Sequence, residues 1–321
     1  MFYRTAESVS PKHPDKLCDQ ISDAILDAYL KKDPNARVAA ETCGGHGVVF
    51  VTGEITSTIP EVDIPAIVHR IAGKDMEVHT KIVKQSPEIA AGVDTGGAGD
   101  QGIMIGYACN ETPEMLPLEV VLSRRLNQSI YDKHPYDGKT QVTIAPNGSI
   151  DSIVASFQNV PRDELENLVH KFITTEKLNG KLELHINPAG DWNQGGFEAD
   201  TGLTGRKLIV DNYGPRIAIG GGCYSGKDPS KVDRSAAYMA RRIAVDYLRN
   251  RKANEVLVRL AYAIGYAEPL EKTVIIDGQP EEIEDYDLTP NGIIKFLDLK
   301  RPIYEKTAMW GHYGHGFDWD K

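Results

Sequence analysis

A glycine-rich segment, residues 220–234, combines basic and acidic side chains in a pattern that suits a polyphosphate. It contains Lys227 and Lys231, and Asp233 follows two residues after the second lysine. Glycines let the main chain approach a ligand closely, lysines neutralise phosphate oxygens, and a carboxylate can hold the accompanying magnesium ion. We therefore predict a site for a nucleoside triphosphate here, in preference to a surface turn with scattered charge.

The same segment does not satisfy the pattern of a P-loop. The spacing from Gly221 to Gly226 and Lys227 is correct, but Asp228 stands where the pattern requires Ser or Thr to bind magnesium. An acid in that place would repel phosphate. The sequence therefore excludes a nucleotide hydrolase of the P-loop type.

Two further segments carry groups that suit phosphate. His13 and Asp15 flank a proline at the start of a predicted helix, and a helix N-terminus attracts anions. His13 could face a phosphate while Asp15 holds a metal, or the two could merely cap the helix. Residues 202–207 form a glycine-rich turn that ends in Arg206 and Lys207, and this pair again suits phosphate.

Three other residues each allow two interpretations. Trp192 lies in a polar loop, where it is either an exposed hydrophobic residue or a platform for a purine ring. Glu41 and Glu54 flank apolar strand residues, and by themselves they are most simply strand-end acids.

The elements that must position these residues mix strands and helices without strict β-α-β repetition. Apolar side chains at helical spacing predict helices at 14–31, 64–71, 116–132, 162–173, 235–249 and 292–297. Short apolar runs predict strands at 48–52, 103–107, 141–145, 150–157, 183–186, 208–211, 256–264 and 273–276. Residues 92–102 contain five glycines and predict a loop that is mobile or closely follows a ligand. This order favours an α+β fold with helices on one face of largely antiparallel sheets.

Composition limits the class of protein and its partners. The chain has 321 residues, of which 41% are hydrophobic and 26% charged, as expected of a globular protein with two or three domains. Its net charge of −10 argues against nucleic-acid binding. Four widely spaced cysteines without a CxxC pair are typical of reduced thiols. Since no segment has the length of a membrane span, we expect a cytoplasmic protein without a membrane or nucleic-acid partner.

Taken in order, these motifs closely resemble those of the S-adenosylmethionine synthetase (methionine adenosyltransferase) family. The most specific are Gly-Ala-Gly-Asp-Gln-Gly at 97–102 and Ser-Gly-Lys-Asp-Pro-Ser-Lys-Val-Asp at 225–233. Further matches are His-Pro-Asp-Lys at 13–16, Lys-Gln-Ser-Pro at 84–87 and Gly-Leu-Thr-Gly-Arg-Lys at 202–207. The matching stretches extend from residue 7 to about residue 315.

The resemblance implies that ATP, methionine and water become S-adenosylmethionine, diphosphate and phosphate. The methionine sulfur attacks ribose C5′ and tripolyphosphate leaves, so this step needs no general base. The leaving group carries negative charge that the enzyme must stabilise. This demand agrees with the excess of cations and metal ligands over any proton-abstracting group of residues in the motifs.

The resemblance also implies a fold and an assembly. It is an α+β fold of three similar β-α-β-β-α-β domains around a pseudo-threefold axis, formed by segments 1–88, 89–193 and 194–321 that exchange parts in space. The active sites lie between two subunits of a homodimer, which could pair further into a tetramer. Each site uses two Mg²⁺ ions and one K⁺ ion.

The resemblance carries individual roles onto residues of this chain. The catalytic residues are His13, Lys139, Arg206, Lys227 and Lys231. ATP is bound by His13, Asp100, Asp137, Lys139, Trp192, Asp200, Arg206, Lys207, Cys223, Lys227 and Ile264. Methionine is bound by Glu54, Gln85, Asp200 and Lys231. Asp15 and Asp233 hold Mg²⁺, and Glu41 holds K⁺.

One departure and two alternatives accompany this interpretation. The family usually has a basic residue and Phe where this chain has Asp191 and Trp192, which brings a negative charge near the nucleotide and enlarges the stacking surface. The first alternative is a non-catalytic regulatory subunit, although every expected phosphate and metal ligand is present. The second is a polyphosphate hydrolase without methionine binding, against which Glu54, Gln85 and Lys231 argue.

Overall fold

Twelve strands and eight α-helices form the described part of the chain, which comprises residues 2–85 and 96–321 of the computed structural model. The strands are β1 (Arg4–Val9), β2 (Arg37–Gly45), β3 (Val48–Thr56), β4 (Glu77–Val83), β5 (Gly102–Cys109), β6 (Gly138–Ile144), β7 (Ile150–Phe157), β8 (Gly180–Ile186), β9 (Gly202–Leu203), β10 (Glu255–Tyr262), β11 (Glu271–Ile276) and β12 (Gln279–Glu282). The helices are α1 (Pro14–Leu30), α2 (Ile64–Ala72), α3 (Leu118–Tyr131), α4 (Arg162–Thr175), α5 (Leu208–Asp211), α6 (Val232–Arg251), α7 (Pro290–Phe296) and α8 (Tyr304–Trp310). Short 3-10 turns lie at Gly196–Glu198 and Asp318–Asp320.

The order β-α-β-β-α-β occurs twice among the described elements. It runs from β1 to β4 with α1 and α2, and again from β5 to β8 with α3 and α4. In both stretches the last two strands pair in parallel, β3 with β4 and β7 with β8, because a helix crosses between them. The remaining strand pairs are antiparallel. These observations confirm the predicted α+β class.

Strands are exchanged among three four-stranded sheets. The sheet orders are β1-β6-β7-β8, β12-β11-β10-β5 and β4-β3-β2-β9. Each sheet takes in one strand from another part of the chain: β1 pairs with β6, β5 with β10, and β9 with β2. The exchange builds the start of the 202–207 turn into the sheet that carries Glu41 and Glu54, although some 150 residues separate them in sequence.

Helix α1 begins as its sequence predicts and is buried on nearly every side. His13 is its N-cap, Pro14 occupies the first turn, and the helix ends before the Asp-Pro pair at 33–34. Most of its side chains are buried, including charged Asp15 and Lys16. A helix at the centre of the molecule with buried charges must pair those charges internally.

Two hydrophobic cores surround these elements. The larger includes residues of α1, α6 and the sheets of β2–β4 and β10–β11, for example Ile21, Tyr238 and Val256. The smaller lies between the β1-β6-β7-β8 sheet and helices α3 and α4, and Phe157 is among its members.

One predicted strand is wrong and one predicted loop is only partly described. Residues 208–211 form helix α5, with the N–H of Asp211 donating to the carbonyl of Lys207 at 3.1 Å. A run of three apolar residues does not distinguish a buried turn of helix from a strand. Of the glycine-rich loop predicted at 92–102, residues 92–95 lie outside the described part of the chain. In residues 2–85 and 96–321, no helix is long and apolar enough to span a membrane.

The C-terminal segment packs into the larger core. Trp319 is fully buried and stacks on Tyr238 with ring centroids 3.8 Å apart. Its indole N–H donates to the carbonyl of His312 at 2.7 Å, and neighbouring Asp320 accepts from buried Arg241 at 3.0 Å. Trp319 therefore belongs to the larger core.

We expect Trp319→Ala to lower the free energy of unfolding by about 3–5 kcal/mol, because it removes a fully buried aromatic side chain and leaves a cavity. Urea denaturation at a fixed protein concentration measures this loss. Trp310→Ala is the matched control, since Trp310 is only partly buried and should lose much less. Equal losses in the two variants would contradict the central position of Trp319.

Candidate active site

The predicted site residues fall into two clusters within one chain. The first cluster lies around the start of α1 and consists of His13, Asp15, Asp137, Lys139, Trp192, Asp200, Arg206 and Lys207. The second lies around the start of α6 and consists of Glu41, Glu54, Gln85, Asp100, Cys223, Lys227, Lys231, Asp233 and Ile264. We call residues 202–207 the first loop and residues 220–231 the second loop, because each supplies cations to one cluster.

Asp15 is the centre of the first cluster. Its Oδ1 accepts from the backbone N–H of Leu203 at 3.1 Å and lies 2.9 Å from Arg206 Nε, and its Oδ2 lies 3.1 Å from Lys207 Nζ. Burial alone would raise the pKa of this carboxyl, but the Leu203 N–H and Lys207 outweigh burial and lower it. Asp15 is therefore ionised and holds two cations at the end of the first loop.

His13 is neutral and presents one hydrogen-bond donor. Its Nδ1 accepts from the backbone N–H of Asp15 at 3.2 Å, so the ring proton is on Nε2. Burial, reinforced by Lys207, lowers the pKa of His13 to about 4. The side chain can therefore donate a hydrogen bond at neutral pH without adding a charge.

Strands β6 and β7 position the next members of the first cluster. Lys139 and Ser156 are cross-strand neighbours, and the Trp192 indole N–H donates to Ser156 Oγ at 3.2 Å. Lys139 contributes to the electrostatic environment of His13. Asp137 accepts from the backbone N–H of Gly196 at 2.9 Å, so its carboxylate fixes the turn that follows Trp192.

Two acids near Trp192 point in different directions. The carboxylate of Asp191 accepts from the backbone N–H of Arg162 at 3.3 Å and from Asn187 Nδ2 at 3.0 Å, at the start of α4. Its carboxylate is thus hydrogen-bonded within the fold, and its position relative to a nucleotide stays a prediction. Asp200 is exposed and accepts from the backbone N–H of Thr201 at 2.7 Å.

The second cluster lines a cavity of about 270 Å³. The predicted residues on its wall are Glu54, Gln85, Asp100, Lys227, Lys231 and Asp233. The Oε1 atom of Gln85 is buried and has no hydrogen-bond partner among the described residues. A buried amide oxygen without a partner is available to a donor on a ligand.

The two lysines of the second loop are held by different carboxylates. Lys227 Nζ lies 2.7 Å from Asp233 Oδ2, and Lys231 Nζ pairs with Asp228 Oδ2. The same Asp228 oxygen accepts from the backbone N–H of Val38 at 2.7 Å. Asp228 is therefore turned into the protein, so the expectation that it would repel a phosphate at the loop surface is wrong.

The remaining members of the second cluster lie at its edges. Ile264 is 57% exposed, and its loop is joined to the loop of Asp100 by backbone hydrogen bonds of 2.8 Å between Ala98 and residues 265–266. Burial raises the pKa of Cys223 to about 11, so this thiol is protonated at neutral pH. Glu41 is an exposed residue of β2.

Three buried aspartates on α1 hold both loops, and the sequence interpretation missed two of them. They stand one turn apart, so they lie on one face of the helix. Their carboxylates accept backbone N–H groups of the loops: Asp15 that of Leu203 at 3.1 Å, Asp19 that of Gly205 at 2.8 Å, and Asp23 that of Gly226 at 2.8 Å. The sequence signal that could have identified them is the spacing of these acids, one helical turn apart in a helix that is otherwise buried.

The two clusters bring cations, carboxylates and an amide together within an α+β fold. Models of the S-adenosylmethionine synthetase family match nearly the whole chain: the N-terminal domain at residues 1–87, the central domain at 95–192 and the C-terminal domain at 194–321. The chain therefore belongs to the S-adenosylmethionine synthetase family. It is accordingly a transferase of the methionine adenosyltransferase type.

Gly226 fixes the second loop against β2. Its φ is +82°, and a Cβ atom there would lie 2.0 Å from the carbonyl oxygen of Ala40. Gly148 has nearly the same φ of +86° with no atom within 4 Å of such a Cβ. The two glycines share a backbone conformation and differ in the space around them.

We expect Gly226→Ala to lower the free energy of unfolding by about 3 kcal/mol or more, because it adds a backbone clash to a strained conformation. Gly148→Ala should lose only about 1–2 kcal/mol, the cost of the left-handed conformation alone. Urea denaturation of both variants measures the difference. Similar losses would show that the second loop moves freely away from β2.

Proposed function

We propose that this chain converts ATP, methionine and water to S-adenosylmethionine, diphosphate and phosphate as a homodimer. Each active site would combine the first cluster of one subunit with the second cluster of the other. The observation that carries the proposal is the distribution of the residues expected to serve one reaction over two clusters, neither of which is complete by itself. Family membership supports the reaction, and the incompleteness of each cluster supports the shared site.

The chemistry of the two clusters is complementary. The first supplies Arg206, Lys207 and a neutral histidine, which suit the phosphate chain. The second supplies the unpartnered Gln85 oxygen beside Glu54, which suit an ammonium group. A site that binds both ATP and an amino acid needs groups from each of the two clusters.

An exposed sheet face supports assembly through these clusters. Glu54 and Phe50 are four residues apart on β3, so they lie on the same face of the sheet, where Phe50 is 53% exposed. Leu203 on β9, in the same sheet, is 40% exposed and follows the first residue of the first loop. A second subunit that covered Phe50 and Leu203 would bring its own clusters to the edges of the sheet.

In this proposal the first cluster stabilises the leaving tripolyphosphate. Arg206 and Lys207 both pair with Asp15 in the free protein, and they would turn to the phosphate oxygens when the ligand enters. His13 would donate its Nε2–H to a phosphate oxygen near the breaking C5′–O bond. As sulfur bonds to C5′, the C5′–O electrons move onto the leaving group, where these donors hold the charge.

The second cluster would position methionine and the triphosphate. Gln85 and Glu54 would bind the methionine ammonium, and Lys231 its carboxylate. Lys227 would bind the phosphate chain. The sulfur needs no deprotonation, so the second cluster requires binding groups and no base. Arg206 would then support hydrolysis of the bound tripolyphosphate.

The residues present fit the expected metal ions. Two Mg²⁺ ions would neutralise the tripolyphosphate, held by Asp15 and Asp233, and K⁺ would be held by Glu41. In residues 2–85 and 96–321, no three His, Cys, Asp or Glu residues converge into a metal site. This agrees with magnesium that is bound through one or two carboxylates and substrate phosphates.

Purified protein given ATP, methionine, Mg²⁺ and K⁺ should form S-adenosylmethionine, which mass spectrometry detects as the sulfonium product. Lys227→Met and Lys231→Met should each slow its formation by about 100-fold or more, since each removes a charge that the reaction needs. Lys181→Met, which loses only a surface pair with Glu183 at 3.4 Å, is the control.

Three outcomes would contradict the proposal. Unchanged rates in both lysine variants would remove the second cluster from the reaction. No turnover by wild-type protein at dimer-forming concentration would favour a regulatory subunit. Phosphate released from ATP without methionine, and without sulfonium product, would favour a polyphosphate hydrolase.

A further inference from the structure

A buried ion triad lies at the base of the first loop. Lys16 is fully buried, and its Nζ lies 2.6 Å from Asp211 Oδ1 and 3.1 Å from Asp19 Oδ2. Asp19 is also fully buried, and Asp211 nearly so. None of these three side chains is among the groups that would touch substrate in the proposed function.

The triad fixes both ends of the segment that carries the first-loop cations. At one end, Asp19 Oδ1 accepts the backbone N–H of Gly205 at 2.8 Å. At the other end, Asp211 closes α5, the helix that begins directly after Lys207. Lys16 binds both acids, so one side chain of α1 joins the two ends of residues 205–211.

Stability alone is a poor explanation for the triad. Removing charges from water costs free energy, and well-packed apolar side chains of similar volume serve a core equally well or better. Burial raises the pKa of Asp19 to about 7 although Lys16 opposes the shift, so the ion pair does not fully offset the cost of burying the carboxyl group. Neighbouring α1 positions such as Ile21 and Ile25 are fully buried and apolar.

The triad also fixes the first loop against the second. Gly205 has a φ of +74°, and a Cβ atom there would lie 2.5 Å from the Cβ of Cys223. The hydrogen bond to Asp19 holds Gly205 in this tight contact. A shift of the segment would therefore move Arg206 and Lys207 relative to the second loop.

Asp15 and Asp19 act on different parts of the first loop. Asp15 pairs with the side chains of Arg206 and Lys207, and phosphate would compete for those cations. Asp19 binds the backbone of Gly205 and pairs with Lys16, which phosphate does not reach because both are fully buried. The loop backbone can thus stay in place while its cations change partners.

We propose that Asp19, through Lys16 and Asp211, is a positioning residue that aims Arg206 and Lys207 at the tripolyphosphate. The inference deepens the proposed function and rests on it. The claim that a buried acid controls polyphosphate binding can be tested by a binding measurement, which does not require the enzyme to turn over.

The test compares two aspartates of one helix that make the same kind of bond. Asp27 accepts the backbone N–H groups of Tyr304 at 3.0 Å and Glu305 at 2.9 Å, so it holds α8 as Asp19 holds the first loop. Asp19→Ala, Asp19→Asn and Asp27→Ala are made in the full-length chain. Tripolyphosphate binding is measured by calorimetry with Mg²⁺, and kcat and KM with ATP and methionine.

We expect Asp19→Ala to weaken tripolyphosphate binding and to lower kcat by about tenfold or more, since a small displacement of charged groups has large effects. Asp27→Ala should keep both its tripolyphosphate affinity and its kcat within about twofold of wild type, although its melting temperature also falls. Asp19→Asn keeps an acceptor for Gly205 but loses the ion pair with Lys16, so it should recover only part of the loss. Equal effects of Asp19→Ala and Asp27→Ala at matched folded fraction would overturn the proposal.

Asp19→Asn decides the question if Asp19→Ala does not fold. Its loss of the ion pair with Lys16 should speed hydrogen exchange in residues 203–211 and weaken tripolyphosphate binding by about threefold. Unchanged exchange and binding in this variant would overturn the proposal. Wild-type protein that binds tripolyphosphate but forms no sulfonium would refute the proposed function and leave the positioning role standing.

Discussion

The structure depends on buried carboxylates of α1 that accept backbone N–H groups from two distant loops. A rigid helix separates Asp15, Asp19 and Asp23 by one turn each, about 6 Å, so the loops that they hold keep a fixed spacing. Each carboxylate also meets at least one cation, because a buried charge without a partner would cost several kcal/mol. The same carboxylates therefore pair the buried charges and position the loops that carry cations at the surface.

The exchange of strands among the sheets explains why distant motifs meet. Because β9 adds to β2, the first loop starts on the sheet that carries Glu41 and Glu54. The same sheet leaves Phe50 and Leu203 exposed. A sheet face that exposes Phe50 and Leu203 and is bordered by two incomplete clusters is better suited to a subunit interface than to solvent, and this is the physical basis of the proposed dimer.

Local rules were sufficient to predict part of the fold around this site from sequence. His13 and Pro14 mark the start of α1, as observed. The polyphosphate site inferred from the glycines and lysines of the second loop stays a prediction. Local rules failed where a distant partner decides the outcome. Residues 208–211 are helical although their apolar run allows a strand, Asp228 is turned inward to Lys231 and Val38, and Asp191 is bound at the start of α4. The partners of Asp19 and Asp23 lie about 180 or more residues away, so no sequence pattern names them.

The central claim, that each site needs clusters from two subunits, is tested most directly by complementation. His13→Ala disables the first cluster and Lys231→Ala the second, and each variant alone should be inactive. Mixed in equal amounts and allowed to exchange subunits, they should recover about one quarter of wild-type activity, since half of the dimers are mixed and each of these has one intact site. A mixture that stays inactive although mass spectrometry shows mixed dimers would contradict the account and place the whole site within one subunit.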